Sequence, residues 1–136
     1  MPPKVSVVIP VYNVGKQLEK CLDSAVAQTF PDIEIIVVND GSTDNSPEII
    51  ARYADKDSRI VVIDKSNEGL AYARKSGIEA AQGEYIQHLD GDDFLEPDAI
   101  ELLYNKAIEE EADMVVFPFW FDYVDEKKKR SSRPAP

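Results

Sequence analysis

The sequence predicts an α/β fold in which a mostly parallel β-sheet is flanked by helices. Short runs rich in β-branched residues alternate with segments whose apolar residues recur at helical spacing, which is the order of successive βαβ units. The run Ile33–Val38 is apolar at nearly every position, as expected of a strand that is buried on both faces. Crossovers between such parallel strands are right-handed and place the helices on the faces of the sheet.

Five strands and four helices are predicted in alternation along the chain. Val5–Ile9 is a β-branched run that ends at a proline. Apolar residues at i, i+3, i+4, i+7 and i+8 from Leu18 predict an amphipathic helix over residues 16–28. After the strand Ile33–Val38, a helix opens at Pro47 with Asn45 or Ser46 as its cap, and a strand follows over 59–64. The next helix covers about 69–81 and is ended by Gly83. The remaining predicted elements are a strand over 84–89, a helix after Pro97 and a strand over 114–117.

Composition limits the class of protein. The chain has 136 residues, of which 43% are hydrophobic and 30% charged, as in an ordinary globular domain. Cys21 is the single cysteine and cannot form an internal disulfide, so we expect a reducing, cytoplasmic location. The formal net charge is -11, and every acidic residue precedes Lys127. Such an acidic body argues against nucleic-acid binding, which needs a positive surface.

The C-terminal region has a different composition from the rest. Residues 1–125 are predicted to form the domain, and residues 126–136, which are basic and contain proline, are predicted to be a disordered tail. The basic run Lys127–Arg130 could contact anionic lipid at the inner face of the membrane, although a solvated run is the simpler interpretation. The aromatic cluster Phe117–Phe121 could promote self-association if it is exposed.

Polar residues follow three of the predicted strands at the point where each strand ends. These segments are Tyr12–Asn13, Asn39–Asp40 and Asp90–Asp93. Because ligands of parallel sheets bind at the carboxyl ends of the strands, we expect the three segments to converge on one edge of the sheet.

The sharpest local feature is the sequence Asp90-Gly91-Asp92-Asp93. Three carboxylates in four residues repel one another unless a cation or hydrogen bonds offset the repulsion. Carboxylates suit Mg²⁺ or Mn²⁺, which fill their remaining positions with substrate phosphate oxygens. A polar loop that caps the next helix is the alternative, and the position at the sheet edge favours the metal. His88, two residues earlier, is expected to face the same side and to be a packing residue or a neighbour of the metal site.

Two further segments each allow two interpretations. The segment Asp40–Asp44 is a strand-to-helix turn, and Asp40 could also accept a hydrogen bond from a base N–H. Arg74 and Lys75 point about 100° apart on a helix, so the two cannot face the same ligand. Arg74 is the better partner for a pyrophosphate, but both side chains could equally be solvated surface charges. A dinucleotide-dependent dehydrogenase is excluded because the chain has no G-x-G-x-x-G sequence after a strand.

Four segments in the same order resemble the family 2 glycosyltransferases over roughly residues 4–117. The segments are Val5-Ser6-Val7-Val8-Ile9-Pro10-Val11-Tyr12-Asn13, Ile36-Val37-Val38-Asn39-Asp40-Gly41-Ser42-Thr43-Asp44, Asn67-Glu68-Gly69 with Ala73-Arg74, and Leu89-Asp90-Gly91-Asp92-Asp93. The resemblance implies the N-terminal, nucleotide-sugar-binding portion of a GT-A fold, which is Rossmann-like. It also implies a nucleotide-sugar donor, usually a UDP-sugar.

The resemblance further implies roles for particular residues. Pro10, Val11 and Tyr12 would line the base and ribose pocket, Asp40 would bind the base, and Arg74 would lie near the diphosphate. The acids of the family's D-x-D motif match a short loop, in which Asp92 would contact Mn²⁺ or Mg²⁺ directly, Asp90 would bind the ribose or a metal-bound water, and Gly91 would belong to the same binding loop.

The reaction implied by the resemblance is transfer of the sugar with inversion at its anomeric carbon, assisted by the metal. An acceptor hydroxyl of a polysaccharide, lipid or protein would attack, aided by a carboxylate base. Family members continue well beyond the length of this chain, so the base is expected to lie outside it. The alternative function is a donor-binding module that holds nucleotide and metal but is inactive alone.

Overall fold

The structure is a computed structural model that describes residues 2–113, 119–121 and 130–132. The chain divides into two compact units, Met1–Tyr104 and Asn105–Pro136. The first unit contains alternating strands and helices, and its last helix continues into the second unit. In chain order the elements are β1 (Val5–Val11), α1 (Gly15–Val26), β2 (Ile33–Asp40), α2 (Ser46–Lys56), β3 (Ile60–Lys65), α3 (Leu70–Ala80), β4 (Tyr85–His88) and α4 (Ala99–Glu109).

The four strands form one parallel sheet in the order β3-β2-β1-β4. In the register, Val5 lies beside Ile33 of β2 on one side and beside Tyr85 of β4 on the other. Every residue of the central strand β1 is buried. The predicted parallel α/β architecture is therefore confirmed, and the ends of β1, β2 and β4 lie at one edge of the sheet.

Helices cover both faces of the sheet. Alternate residues of β1 and β2, such as Val7 and Ile35, form the larger core with α1, α2 and the start of α4. The opposite face packs against α3, where Ala73 lies with Ile36 and Val38. The spacing of apolar residues that predicted these helices thus corresponds to the faces that they bury.

Glycine allows α3 to approach the sheet very closely. At Gly77 an added Cβ atom would lie 2.4 Å from Cγ1 of Val8 and 3.4 Å from Cγ2 of Val38. Only a residue without a side chain fits between the helix and two buried valines.

Three local expectations are wrong. Gly83 does not end α3, because the helix ends at Ala80. A Cβ atom added at Gly83 would lie 2.6 Å from the backbone nitrogen of Ser6, so this glycine instead permits close packing against β1. Asn45 occupies the N-cap position of α2 without a capping side-chain bond, whereas Oδ1 of Asp44 accepts a hydrogen bond from the backbone N–H of Ser46 at 2.9 Å. His88 is an exposed residue on β4 and does not pack in the core.

The second unit contains a two-stranded antiparallel sheet of β5 (Phe119–Phe121) and β6 (Arg130–Ser132). The predicted strand over 114–117 lies outside the described residues. Strand β6 falls within the tail whose composition predicts disorder, and its backbone pairs with β5. The other residues of that tail lie outside the described part, so the domain boundary at residue 125 stays a prediction. Among the described helices, none has the length and apolarity needed to cross a membrane.

Candidate functional site

A pocket of about 440 Å³ lies where the carboxyl ends of the strands meet. Its volume is in the range of sites that bind small molecules. Seven of the eight predicted binding residues line it, and the eighth, Arg74, contacts one of them. The seven are Pro10, Val11, Tyr12, Asp40, Asp90, Gly91 and Asp92. The expected convergence of three strand ends is therefore observed.

The loop after β1 forms one wall of the pocket and presents Tyr12, which is half exposed. The next residue, Asn13, has a left-handed backbone with φ of 50°, a conformation that asparagine tolerates better than most residues. Its Oδ1 accepts hydrogen bonds from the backbone N–H groups of Thr43 at 2.8 Å and Asp44 at 3.2 Å. Asn13 thus joins the loops after β1 and β2, a role that sequence spacing did not reveal.

Asp40, at the end of β2, is buried beside the start of α3. Its two carboxylate oxygens accept hydrogen bonds from the backbone N–H groups of Glu68 at 3.0 Å and Gly69 at 3.1 Å. The turn interpretation is correct for this segment, because Gly41 has a φ of +72° and contacts Asn67 closely. Each carboxylate oxygen can accept more than one hydrogen bond, so Asp40 is also able to accept a donor from the pocket.

The acid loop, defined as Asp90–Asp93, brings three carboxylates together. One oxygen from each of Asp90, Asp92 and Asp93 lies within 4.8 Å of the others. Burial raises the pKa of the Asp93 carboxyl, and the charges of Asp92 and Asp90 raise it further. Carboxylate oxygens at this spacing fit Mg²⁺ or Mn²⁺, which would offset the repulsion.

Gly91 allows the acid loop to pack against the end of β1. Its backbone N–H donates to the carbonyl of Pro10 at 3.2 Å, and an added Cβ would lie 2.9 Å from Cγ2 of Val14. The turn is closed by the N–H of Asp93, which donates to the carbonyl of Asp90 at 2.9 Å. The loop therefore holds its acidic side chains at a fixed distance from the wall formed by β1.

Arg74, a residue of α3, extends its side chain to the acid loop. Its Nη2 atom lies 2.9 Å from Oδ1 and 3.2 Å from Oδ2 of Asp90, and its buried Nε has no hydrogen-bond partner among the described residues. Lys75 is 68% exposed and pairs with Glu79 at 4.0 Å. The two basic residues do face different directions, and the one that reaches the pocket region is Arg74.

Helix α1 also contributes to the site, although its residues do not line the pocket described above. Cys21 is fully buried and its thiol donates to the carbonyl oxygen of Asp90 at 3.5 Å. Burial, together with the charges of Asp93, Asp92 and Asp90, raises the pKa of this thiol to about 12. Sequence reasoning correctly predicted that Cys21 is a core residue but missed its contact with the acid loop, because the two are 69 positions apart.

The sequence of this chain is similar to those of known proteins. The sequence model of glycosyl transferase family 2 matches residues 6–135. The chain belongs to glycosyl transferase family 2. One curated relative is the glycosyltransferase GlyA of Streptococcus pneumoniae serotype 4, which is 48% identical over 113 residues. The matched residues cover 83% of this chain and 16% of GlyA.

Solved glycosyltransferase structures share the fold of this family 2 chain. A crystal structure of S. aureus TarS in complex with UDP-GlcNAc has a TM-score of 0.75 and 29% identity, over 79% of this chain and 32% of that one. The mannosyltransferase PcManGT from Pyrobaculum calidifontis, in complex with GDP-Man and Mn²⁺, has a TM-score of 0.70 and 27% identity, over 87% of this chain and 35% of that one. The predicted GT-A class is confirmed, and the chain spans about a third or less of these relatives.

Proposed function

We propose that this chain binds the donor in an inverting, metal-assisted glycosyltransferase that uses a nucleotide-diphosphate sugar, with a UDP-sugar preferred. The observation that carries the proposal is the arrangement of chemistry around one pocket. A carboxylate lies at the β2 end, an aromatic residue at the β1 end, and the acid loop with its arginine at the β4 end. This order matches a ligand that has a base at one end and a diphosphate at the other.

The base end of the donor would be bound by Asp40 and Tyr12. Asp40 is held by two backbone N–H groups, so its oxygens are fixed in position to accept an N–H from the base. Tyr12 is half exposed, and its ring is free to stack on a base or ribose at the pocket wall. Pro10 and Val11 complete this part of the pocket with apolar surface.

The diphosphate end would be bound by Arg74 and the acid loop. Asp92 would be the direct metal ligand, with Asp90 as a ligand or as the partner of the ribose or a bound water. When bound, Mn²⁺ or Mg²⁺ supplies positive charge that stabilises the departing nucleoside diphosphate. Arg74, whose Nη2 pairs with Asp90 beside the pocket, would donate to the same phosphate oxygens.

The sugar is transferred when an acceptor hydroxyl attacks the anomeric carbon from the side opposite the diphosphate. This attack inverts the configuration at that carbon. We assign no base within the pocket, because we assign its carboxylates to other roles, Asp40 to the nucleobase and Asp90 and Asp92 to the metal. We place the base outside this chain and the reaction in the cytoplasm. The acceptor is a saccharide, lipid or protein hydroxyl.

Similarity to named glycosyltransferases favours an enzyme over a module that only holds the donor. The preference for UDP rests on the family resemblance and on TarS, which has the higher TM-score of the two structural neighbours described. GDP is the competing nucleotide, because PcManGT is in complex with GDP-Man and Mn²⁺.

The proposal is tested by calorimetric titration of UDP and of GDP into the chain, first with Mn²⁺ and then with EDTA. We expect UDP binding that is strengthened by Mn²⁺ and that loses this increment in Asp92→Asn. The matched control is Asp55→Asn, which removes an exposed carboxylate of α2. Tighter binding of GDP than of UDP would mean that the nucleobase of the donor is guanine. A folded chain that binds neither nucleotide would contradict the proposal.

A further inference from the structure

The segment between β4 and α4, residues 89–98, contains turns but no strand or helix. It includes the acid loop, so the position of the metal-binding carboxylates depends on what holds this segment. A segment without regular secondary structure takes its shape from the partners of its backbone groups. Many of those partners lie on α1 and the two residues that follow it.

Cys21 and Ser24 lie three positions apart on one side of α1, and the third polar residue, Gln28, follows two positions after the helix ends. We call them the polar face of α1. The thiol of Cys21 donates to the carbonyl of Asp90 at 3.5 Å, and Oγ of Ser24 accepts the backbone N–H of Leu95 at 3.0 Å. The first and middle parts of the segment are therefore held through their backbones.

Gln28 holds the far end of the segment. Its side chain is buried, and the amide nitrogen donates to the carbonyls of Glu96 at 2.7 Å and Ser24 at 3.0 Å. Its amide oxygen accepts the backbone N–H of Ile100 at 3.0 Å. The nitrogen and the oxygen of this buried amide thus connect the chain just after α1 to the start of α4. No residue with a shorter or apolar side chain could make these hydrogen bonds.

The contact extends to an exposed neighbour. The ammonium group of Lys20 lies 3.9 Å from the ring centroid of Phe94, which is 39% exposed. None of these contacts uses a carboxylate of the acid loop, because α1 binds the backbone of Asp90, and the side chain of Asp90 pairs with Arg74 instead.

We propose that the polar face of α1 is a template that positions the acid loop for the metal, and that Gln28 is its principal positioning residue. This inference rests on the proposed donor and metal site, but not on the identity of the nucleotide. The polar face does not touch the donor. It acts by fixing the backbone from which Asp90 and Asp92 project, in the way that residues behind a metal site commonly set ligand geometry.

The test compares Gln28→Met with Gln17→Met. Methionine is close to glutamine in length and removes all three hydrogen bonds of Gln28. Gln17 lies on α1 with an exposed side chain, so its replacement is a control for the substitution itself. Two measurements are made on each chain: amide NMR shifts of residues 90–95, and the concentration of Mn²⁺ alone that broadens those signals.

We expect Gln28→Met to shift the amide signals of Gly91, Asp92 and Asp93 and to raise the required Mn²⁺ concentration on the order of tenfold. Gln17→Met should match the wild type in both measurements. Unchanged amide signals, an unchanged Mn²⁺ requirement, or a wild-type chain whose acid-loop signals Mn²⁺ does not broaden would each overturn the inference. If Gln28→Met does not fold, Ser24→Ala removes the hydroxyl that accepts the N–H of Leu95 and donates to the carbonyl of Cys21, and it should give a smaller shift in the same direction.

Titration of UDP separates this inference from the proposed function. A wild-type chain that binds Mn²⁺ at the acid loop but no nucleotide would contradict the proposed donor, and the comparison of variants with Mn²⁺ alone would still decide the role of Gln28. A wild-type chain that binds UDP with Mn²⁺, together with a Gln28→Met chain of equal Mn²⁺ requirement, would contradict only the positioning role.

Discussion

The guanidinium group of Arg74 contacts both carboxylate oxygens of Asp90, at 2.9 Å and 3.2 Å, and so joins α3 to the acid loop. The side chains of the pair are 39% and 37% exposed, and ion pairs with that much solvent contribute little to stability. The importance of the pair is therefore its position. It places a fixed positive charge beside the carboxylates at the edge of the pocket.

Replacement of Arg74 should weaken binding of the diphosphate and leave binding of the nucleoside unchanged. For Arg74→Gln we expect UDP binding weaker by roughly 10- to 160-fold, because a charge-assisted hydrogen bond contributes about 1.5–3 kcal/mol. Calorimetry with UDP and with uridine measures the difference. Lys75→Gln, which changes the exposed neighbour on the same helix, is the control and should resemble the wild type. An equal loss for UDP and uridine would show that Arg74 does not act on the phosphates.

A side chain at Gly77 should destabilise the fold. Alanine normally favours a helix interior over glycine by about 1 kcal/mol. At this site, however, its Cβ would lie 2.4 Å from Cγ1 of the buried residue Val8. We expect Gly77→Ala to lower the free energy of unfolding by about 1–3 kcal/mol, measured with urea. Adding Val8→Ala to Gly77→Ala should cost less than Val8→Ala does alone, and a Gly77→Ala chain more stable than the wild type would refute the close contact.

Ionisation of Tyr53 should lower the free energy of unfolding at high pH. Burial and the hydrogen bond that Tyr53 donates to Asp23 at 2.6 Å raise the pKa of this phenol to about 12. An unfolded tyrosine ionises near pH 10, so its contribution to stability is complete below about pH 10 and decreases as pH rises toward 12. Urea unfolding between pH 9 and 11 should show a smaller decrease for Tyr53→Phe than for the wild type. Tyr72→Phe, at an exposed tyrosine, should retain the wild-type decrease.

Asn13 should stabilise the junction of two loops through its side-chain oxygen. Asn13→Ala removes the acceptor of two backbone N–H groups and places alanine in a left-handed backbone, so we expect a loss of about 1–3 kcal/mol in the free energy of unfolding. Asn13→Asp keeps an acceptor oxygen and should lose less. Equal losses in the two variants would mean that the hydrogen bonds to residues 43 and 44 contribute nothing measurable.

Sequence periodicity was sufficient to predict β1 to β4 and their helices, because these elements bury apolar faces that recur at regular intervals. The convergence of Tyr12, Asp40 and Asp92 on one pocket was predictable for the same reason, since parallel strands end at a common edge. Pattern and resemblance together thus located the candidate site.

Contacts between residues far apart in the chain were not predictable from one sequence. Gln28 has no distinguishing local pattern, and its partners lie about 70 positions later. Gly83 was mistaken for a helix cap because both a cap and a close backbone approach select glycine, and only the tertiary structure separates the two. His88 was interpreted as a packing residue or as a neighbour of the metal site, and its exposure on β4 contradicts only the first interpretation.

The central place of β1 has a consequence for synthesis on the ribosome. Val5 precedes three helices along the chain, and one of its partners in the sheet, Tyr85, is made only after them. Until that residue emerges, the nascent chain carries an apolar strand with an open edge, which is a hazard for aggregation. Translation must pass β4 before the edge of β1 is covered, and it must pass the acid loop before the donor pocket is complete. A pause before β4 would therefore expose β1 to chaperones, whereas a pause after α4 would not.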